Sequence, residues 1–226
     1  MDALAWSRLF VEAVALGARH VRLLGGEPRV RSDLVDIVAH AREAGLDTCL
    51  LTSGIGIATR AMRDLWEAGL ARVEVEMGDA DAVSADRMAG QRGAFQRKHA
   101  LAAEAVRLGL PLIVSFAVGR DNVGRIAAMV ELALRLKAER VRIAYGADWI
   151  PTTEDKQRVA GEIERLRHTH KGRIVIDARM PAFDAEDMLG GGGEPLMFHV
   201  APSGLVSASA PAFRFGAPFM ETFDAG

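Results

Sequence analysis

The stretch "LPLIVSFAVGRDNVGRIAAMVELALRLKAERVRIAY", Leu110 to Tyr145, decides the fold. Its opening, "PLIVSFAV" (111–118), is a strand-like apolar run that stops at the turn residues of "GRDN". From Ile126 to Leu136 apolar residues recur at helical spacing, and "RVRIAY" (140–145) is again strand-like. Strand, helix and strand in that order form one parallel βα unit.

The same alternation extends in both directions. Helical spacing appears at Leu4–Leu16, Leu34–Ala44, Arg60–Ala68, Phe95–Leu108 and Glu154–Arg167. Strand-like runs lie between them at 20–24, 47–52, 72–77 and 173–178. Gly17, Gly45, Gly69 and Gly109 close helices just ahead of the next strand, as left-handed C-terminal caps do. In parallel βα folds, function gathers at the C-terminal ends of the strands. Here those ends are Gly25–Pro28, Thr52–Gly56, Glu76–Asp79, Val118–Asn122 and Tyr145–Asp148. From about Pro181 the chain turns glycine-rich. It then reads as a hairpin, with a strand at Leu196–Val200, a turn at Pro202–Gly204 and a return at Leu205–Ser207.

Composition narrows the functional classes. With 226 residues and half of them hydrophobic, the chain can bury one sizeable core. A formal net charge of −2 with scattered Lys and Arg argues against nucleic acid or a membrane surface as partner. No apolar run is long enough to span a bilayer and no signal sequence is evident, so the expected location is cytoplasmic. There is one cysteine, Cys49, inside the apolar run "DTCLLT". That excludes an intrachain disulfide, a Cys-rich zinc site and a cysteine-ligated cluster built from these residues. Cys49 reads as a small core hydrophobe.

The strand ends taken together resemble the radical S-adenosylmethionine (SAM) superfamily. The nearest branch is the PqqE-like one, which modifies a peptide in pyrroloquinoline quinone biosynthesis and carries a SPASM-type extension. "GGEP" after a strand, "LTSGIG" after the next and "GRDN" at a later strand end stand in the order and spacing of that family. "FHVAPSGLVSASA" resembles its C-terminal hairpin. The resemblance covers roughly residues 4 to 208. It implies that Gly25, Gly26 and Glu27 cradle the SAM amino group, that Ser53 contacts its ribose or carboxylate, and that Arg120 and Asn122 complete the pocket, Arg120 holding a substrate carboxylate. The family's first strand and CxxxCxxC loop, which precede the helix matching Leu4–Leu16, are not in these residues. Ser207 and Ser209 stand near where the hairpin of the family carries a cysteine.

Each of these residues also has a plainer reading. Glu27 in a Gly-Gly turn can face solvent or a salt bridge, and Ser53 can be an ordinary turn hydroxyl. Arg120 can pair with Asp121 or Asp148. Glu74, Glu76, Asp79 and Asp81 suggest a metal or a base, but read first as a solvated strand end and turn. His168 and His170 read as a cationic last helical turn.

The expected architecture is an α/β, incomplete (βα) barrel of the radical-SAM type with five or six parallel strands over residues 1–180. A SPASM-like remnant hairpin and irregular tail follow over 181–226. The expected function is that of a cluster-less homologue, a pseudoenzyme that binds a peptide or a protein partner. That partner would be an active relative or a peptide carrier. The alternatives are an enzyme of non-radical chemistry in the residual pocket, or one half of a split enzyme. No iron–sulfur cluster and no resident cofactor are expected, SAM being the one such a pocket would take. The first strand's open edge offers a route to homo- or hetero-oligomers.

Overall fold

The structure is a computed structural model and describes residues 1–24, 27–146, 149–178, 199–200 and 206–207. It begins with α1 (Ala3–Ala15), whose first turn is capped by the Asp2 carboxylate accepting from Ala5 N at 2.9 Å. There follow β1 (His20–Leu23), α2 (Leu34–Glu43), β2 (Asp47–Thr52), α3 (Thr59–Ala68) and β3 (Arg72–Glu76). Two helices, α4 (Ala82–Met88) and α5 (Ala94–Arg107), separate β3 from β4 (Leu112–Val118). The chain continues with α6 (Ile126–Arg135), β5 (Arg140–Tyr145), α7 (Thr153–Thr169) and β6 (Val175–Ala178).

The six strands form one parallel sheet in chain order, β1 to β6. Among the described residues it does not close: β1 and β6 each have a single strand neighbour there, so the described sheet is an open partial barrel. A separate two-residue ladder pairs β7 (His199–Val200) with β8 (Val206–Ser207) antiparallel, where the hairpin is expected. The short α4 is absent from the sequence reading, because seven residues carry too little periodicity to register. The four capping glycines have φ between 78° and 101°.

Strand register sorts the side chains onto two faces, since successive residues alternate. One face carries Leu50, Val73, Val75, Val114, Phe116, Val141 and Ile143, all buried, and packs on α2, α3, α5, α6 and α7. The opposite face is polar: Arg22 aligns with Cys49, Ser115 with both Glu76 and Arg142, and Arg142 with Asp177. A smaller core of Phe10, Ile37, Ala41 and Leu46 fastens α1 to α2. None of the described helices is long and apolar enough to cross a membrane.

Candidate functional site

Polar groups converge at the C-terminal ends of β1, β2 and β3. Glu27 precedes a short 3-10 turn, Pro28–Val30, in which proline at the first position fits because its missing N–H would have no partner. The Glu27 carboxylate then reaches across to the turn after β2. Thr52 Oγ1 donates to Oε1 and Oε2 at 2.8 and 3.0 Å, Ser53 Oγ donates to Oε2 at 2.5 Å, and Ser53 N donates to it at 3.1 Å. The same two hydroxyls accept from the turn itself, Thr52 Oγ1 from Gly54 N at 3.0 Å and Ser53 Oγ from Ile55 N at 3.3 Å. Glu27 and Ser53, marked as candidates in the sequence, are thus brought into direct contact. Gly25 and Gly26 lie outside the described residues.

Gly54 sits at φ +69°, a conformation that suits glycine, and a side chain there would meet Lys98 Cγ at 3.2 Å and Val75 Cγ1 at 3.3 Å. The close approach lets the Lys98 stem lie over the turn, leaving the residue only 4% exposed. Burial pulls the Lys98 ammonium below its usual range, against the opposing pull of Glu76, Asp86 and Glu27. Glu76, at the end of β3, is pushed upward by burial; Lys98 draws it down, while Glu74 and Glu27 push it further up. Two carboxylates and one ammonium therefore share a partly desolvated site. Sequence reading passed over Lys98, yet a signal was present. It falls on the buried stripe of α5, in phase with Ala94, Leu101, Ala102 and Ala105.

The remaining candidates sit two strands along. Asn122 is 1% exposed, and its side chain is fully engaged by backbone. Gly119 N donates to Oδ1 at 2.6 Å, and Nδ2 donates to Ala117 O at 2.9 Å and to Gly78 O at 3.3 Å. It ties the β4 end to the loop after β3. Arg120 is exposed at the rim, where its charge helps to hold the Asp155 carboxyl below the ordinary range; bonds from Thr152 contribute more. Asp148 lies outside the described residues.

The acidic run does not stand in solvent as its plainer reading expects. Glu74 and Asp79 are fully buried, Glu76 is half-buried, and Asp81 caps α4 through Ser84 N at 2.8 Å. Burial is affordable because arginines arrive from other strands and turns. Glu74 accepts from Arg22 Nη2 at 2.7 Å and from Arg142 Nη1, and Arg142 Nε reaches Asp177 Oδ2 at 3.3 Å. Asp79 is gripped by Arg125 through Nε and Nη2, and Arg125 also donates to Ser84 Oγ at 3.1 Å. His168 belongs to the last turn of α7, whereas His170 is buried, with Nε2 3.5 Å from Glu131 Oε1.

The family pattern described as the radical SAM superfamily matches residues 3–133. The chain belongs to the radical SAM superfamily. A PqqA peptide cyclase from Methylocella silvestris is 42% identical over 218 residues, covering 91% of this chain and 58% of that protein. The chain therefore spans less than two thirds of that relative. Among solved structures, Streptococcus suis SuiB bound to the precursor peptide SuiA superposes with a TM-score of 0.71 at 17% identity, covering 84% of this chain and 45% of SuiB. SuiB bound to S-adenosylmethionine gives 0.70 at 17% identity, covering 79% and 42%. At that identity the SuiB likeness concerns the fold.

The residues present do not fit the cluster that the superfamily uses. Cys49 is the one cysteine of the sequence; it is buried in β2 and its thiol is pushed up to about 11 by burial, with Glu74 adding to the effect. A cluster needs several thiolates, and a buried thiol that resists ionisation is a poor ligand. Among the described residues, no group of three or more His, Cys, Asp or Glu is placed to hold a metal ion.

Proposed function

We propose that this chain is a radical-SAM-family protein that binds a peptide, or a partner in peptide modification, without cleaving SAM. The observation that carries this reading is the pairing of a family scaffold with a single, buried, high-pKa cysteine. Support for a peptide comes from the 42% identical relative, named a PqqA peptide cyclase, and from the SuiB complex with a precursor peptide. Residues 1–180 form the binding scaffold in this reading, and 181–226 the hairpin appendage. The pocket is Gly25, Gly26, Glu27, Ser53, Arg120 and Asn122, to which Lys98 and Glu76 are added. A peptide carrier or an active relative would be the protein partner, working in peptide or quinone-cofactor biosynthesis.

The test is a titration of the purified chain with a PqqA-type peptide, followed by anaerobic iron–sulfide treatment and incubation with SAM and a reductant. Peptide binding with micromolar affinity, about −8 kcal/mol, and no 5′-deoxyadenosine is the expected outcome. Formation of 5′-deoxyadenosine by the chain alone would overturn it.

A second reading is favoured by the Glu27–Thr52–Ser53 contact beside Lys98 and Glu76. There the pocket holds SAM for non-radical chemistry, Glu27 receiving its ammonium group. Calorimetry with SAM separates the two readings. Heat that vanishes in Glu27→Gln supports the second, and no heat in the wild type leaves the first.

A further inference from the structure

Between Ala82 and Ala100 the chain holds one acid, Asp86, against Arg87, Arg92, Arg97 and Lys98. In a protein of net charge −2, that is a local reversal of sign. The fold sharpens it. The Asp86 carboxylate is taken by backbone, accepting from Gly93 N at 2.5 Å and Phe95 N at 2.8 Å at the start of α5. Asp81, just ahead of α4, is likewise turned onto Ser84 N. Lys98 is buried at the strand ends. What faces outward is Arg87 and Arg92, with Arg97 alongside donating to Arg92 O at 3.1 Å. None of the three makes an ion pair among the described residues, whereas Arg107, Arg125, Arg142, Arg158 and Arg165 all do.

The same surface is apolar between its charges. Val83 is 77% exposed and Met88 48%. A shallow groove of about 370 Å³ runs between α4 and the α4–α5 loop, lined by Val83, Asp86, Arg87, Gly90, Gln91 and Arg92, with the Asp86 carboxylate already bonded to Gly93 N and Phe95 N. Next to Arg87 in α4, Met88 Sδ lies 3.9 Å from Asn122 Nδ2, the amide that joins the β3 and β4 loops. Aliphatic surface flanked by two guanidinium groups, with the one lining acid already engaged by backbone N–H groups, complements an acidic segment that carries aliphatic side chains.

We propose that this groove docks an acidic, aliphatic-bearing peptide segment, its carboxylates taken by Arg87 and Arg92 and its apolar side chain lying on Val83 and Met88. The proposal rests on the peptide-binding reading above and places the acidic flank of the peptide outside the strand-end pocket. Guanidinium forks suit carboxylates, and rim charges of this kind act strongly at low salt and fade as screening rises.

The experiment uses a fluorescein-labelled peptide of Glu, Asp and Leu, about twelve residues or roughly three helical turns. Its Gln/Asn counterpart and a PqqA-type peptide are titrated beside it by anisotropy against the full chain. The test variant is Arg87→Glu with Arg92→Glu. Arg8→Glu with Arg135→Glu, two exposed arginines elsewhere, makes the same change in net charge. The expected result is that the acidic peptide binds better than its neutral counterpart and weakens with salt. The test variant should lose roughly tenfold in affinity while the control loses little. Equal losses in both variants, or none, would overturn the groove while leaving peptide binding at the strand ends in place. Wild-type protein that takes up none of the three peptides would overturn both readings. A wild-type dimer in sedimentation that the test variant abolishes would assign the groove to a second copy, and so would also overturn the peptide.

Discussion

Lys98 and Glu76 hold opposite charges in a site where water is scarce, and each is shifted toward its neutral form by burial. Removing the lysine should expose that tension. In Lys98→Met the Glu76 carboxyl loses the charge that draws it down, while burial, Glu74 and Glu27 remain, so it should titrate at still higher pH. The linkage follows from the sign. A carboxyl raised in the folded state contributes stability that is present below its unfolded value and is lost as pH rises through the folded one. Relative to wild type, the variant should therefore gain stability as pH falls from neutral, about pH 7, to mildly acidic, about pH 5, toward the ordinary carboxyl value of 4.5. Carboxyl-carbon NMR and urea melts at both pH values check this, and an unmoved Glu76 titration would sink it. At this scale the sequence showed Glu27 and Ser53 as neighbours in chemistry, through turn motifs with fixed spacing. It did not show Lys98 as their companion, because that contact joins a helix to a turn more than forty residues away.

At the scale of elements, the loops after β3 and β4 are locked together rather than left loose. Arg125 crosses from the second loop to Asp79 in the first, and Asn122 crosses to Gly78 O. Burial pushes the Asp79 carboxyl up, but bonds from Arg125, Ser84 and the Ala80 and Asp81 N–H groups outweigh it and hold it below the ordinary range. Its stabilising contribution is thus present above the unfolded value near 3.8 and lost as pH falls through the lower folded one. Asp79→Asn should lose about 1–2 kcal/mol at neutral pH, discounted because Arg125 is partly exposed, and should melt with a shallower acid dependence. A variant with unchanged stability and an unchanged acid limb would refute the role. The periodicity of helices and strands made six helices and six strands legible. Loop locking was not, since it depends on which side chains two separate loops bring within reach.

Across the whole molecule the polar face of the sheet depends on one charge. Glu74 is fully buried between Arg22 and Arg142, guanidinium groups supplied by β1 and β5 on either side of β3. Glu74→Ala would remove the carboxylate that both guanidinium groups share, leaving Arg142 its bond to Asp177. Breaking a buried pair in this way costs about 3–5 kcal/mol, and the partial exposure of Arg22 places the expected loss near 3. Chemical denaturation measures it; a loss under about 1 kcal/mol, the size of a surface pair, would show that the network is solvated. The open sheet carries its own expectation. β4 is buried on both faces and flanked on both sides, whereas β1 has one strand neighbour among the described residues, so amide exchange along His20–Leu23 should be faster than along Leu112–Val118. Equal protection would mean that a further strand completes the edge.

Read by itself, the sequence determined the parallel βα order, the family and the single cysteine among these residues. These are local or compositional properties, written in periodicity, turn residues and the count of one element. Only the tertiary structure decided that Glu74 and Asp79 are interior, that Lys98 joins the Glu27 turn, and that the Asp86 carboxylate is taken by the start of α5 beside the exposed Arg87 and Arg92. Each depends on a partner distant in the chain, and a charged residue's spacing does not say whether such a partner will arrive to make its burial tolerable.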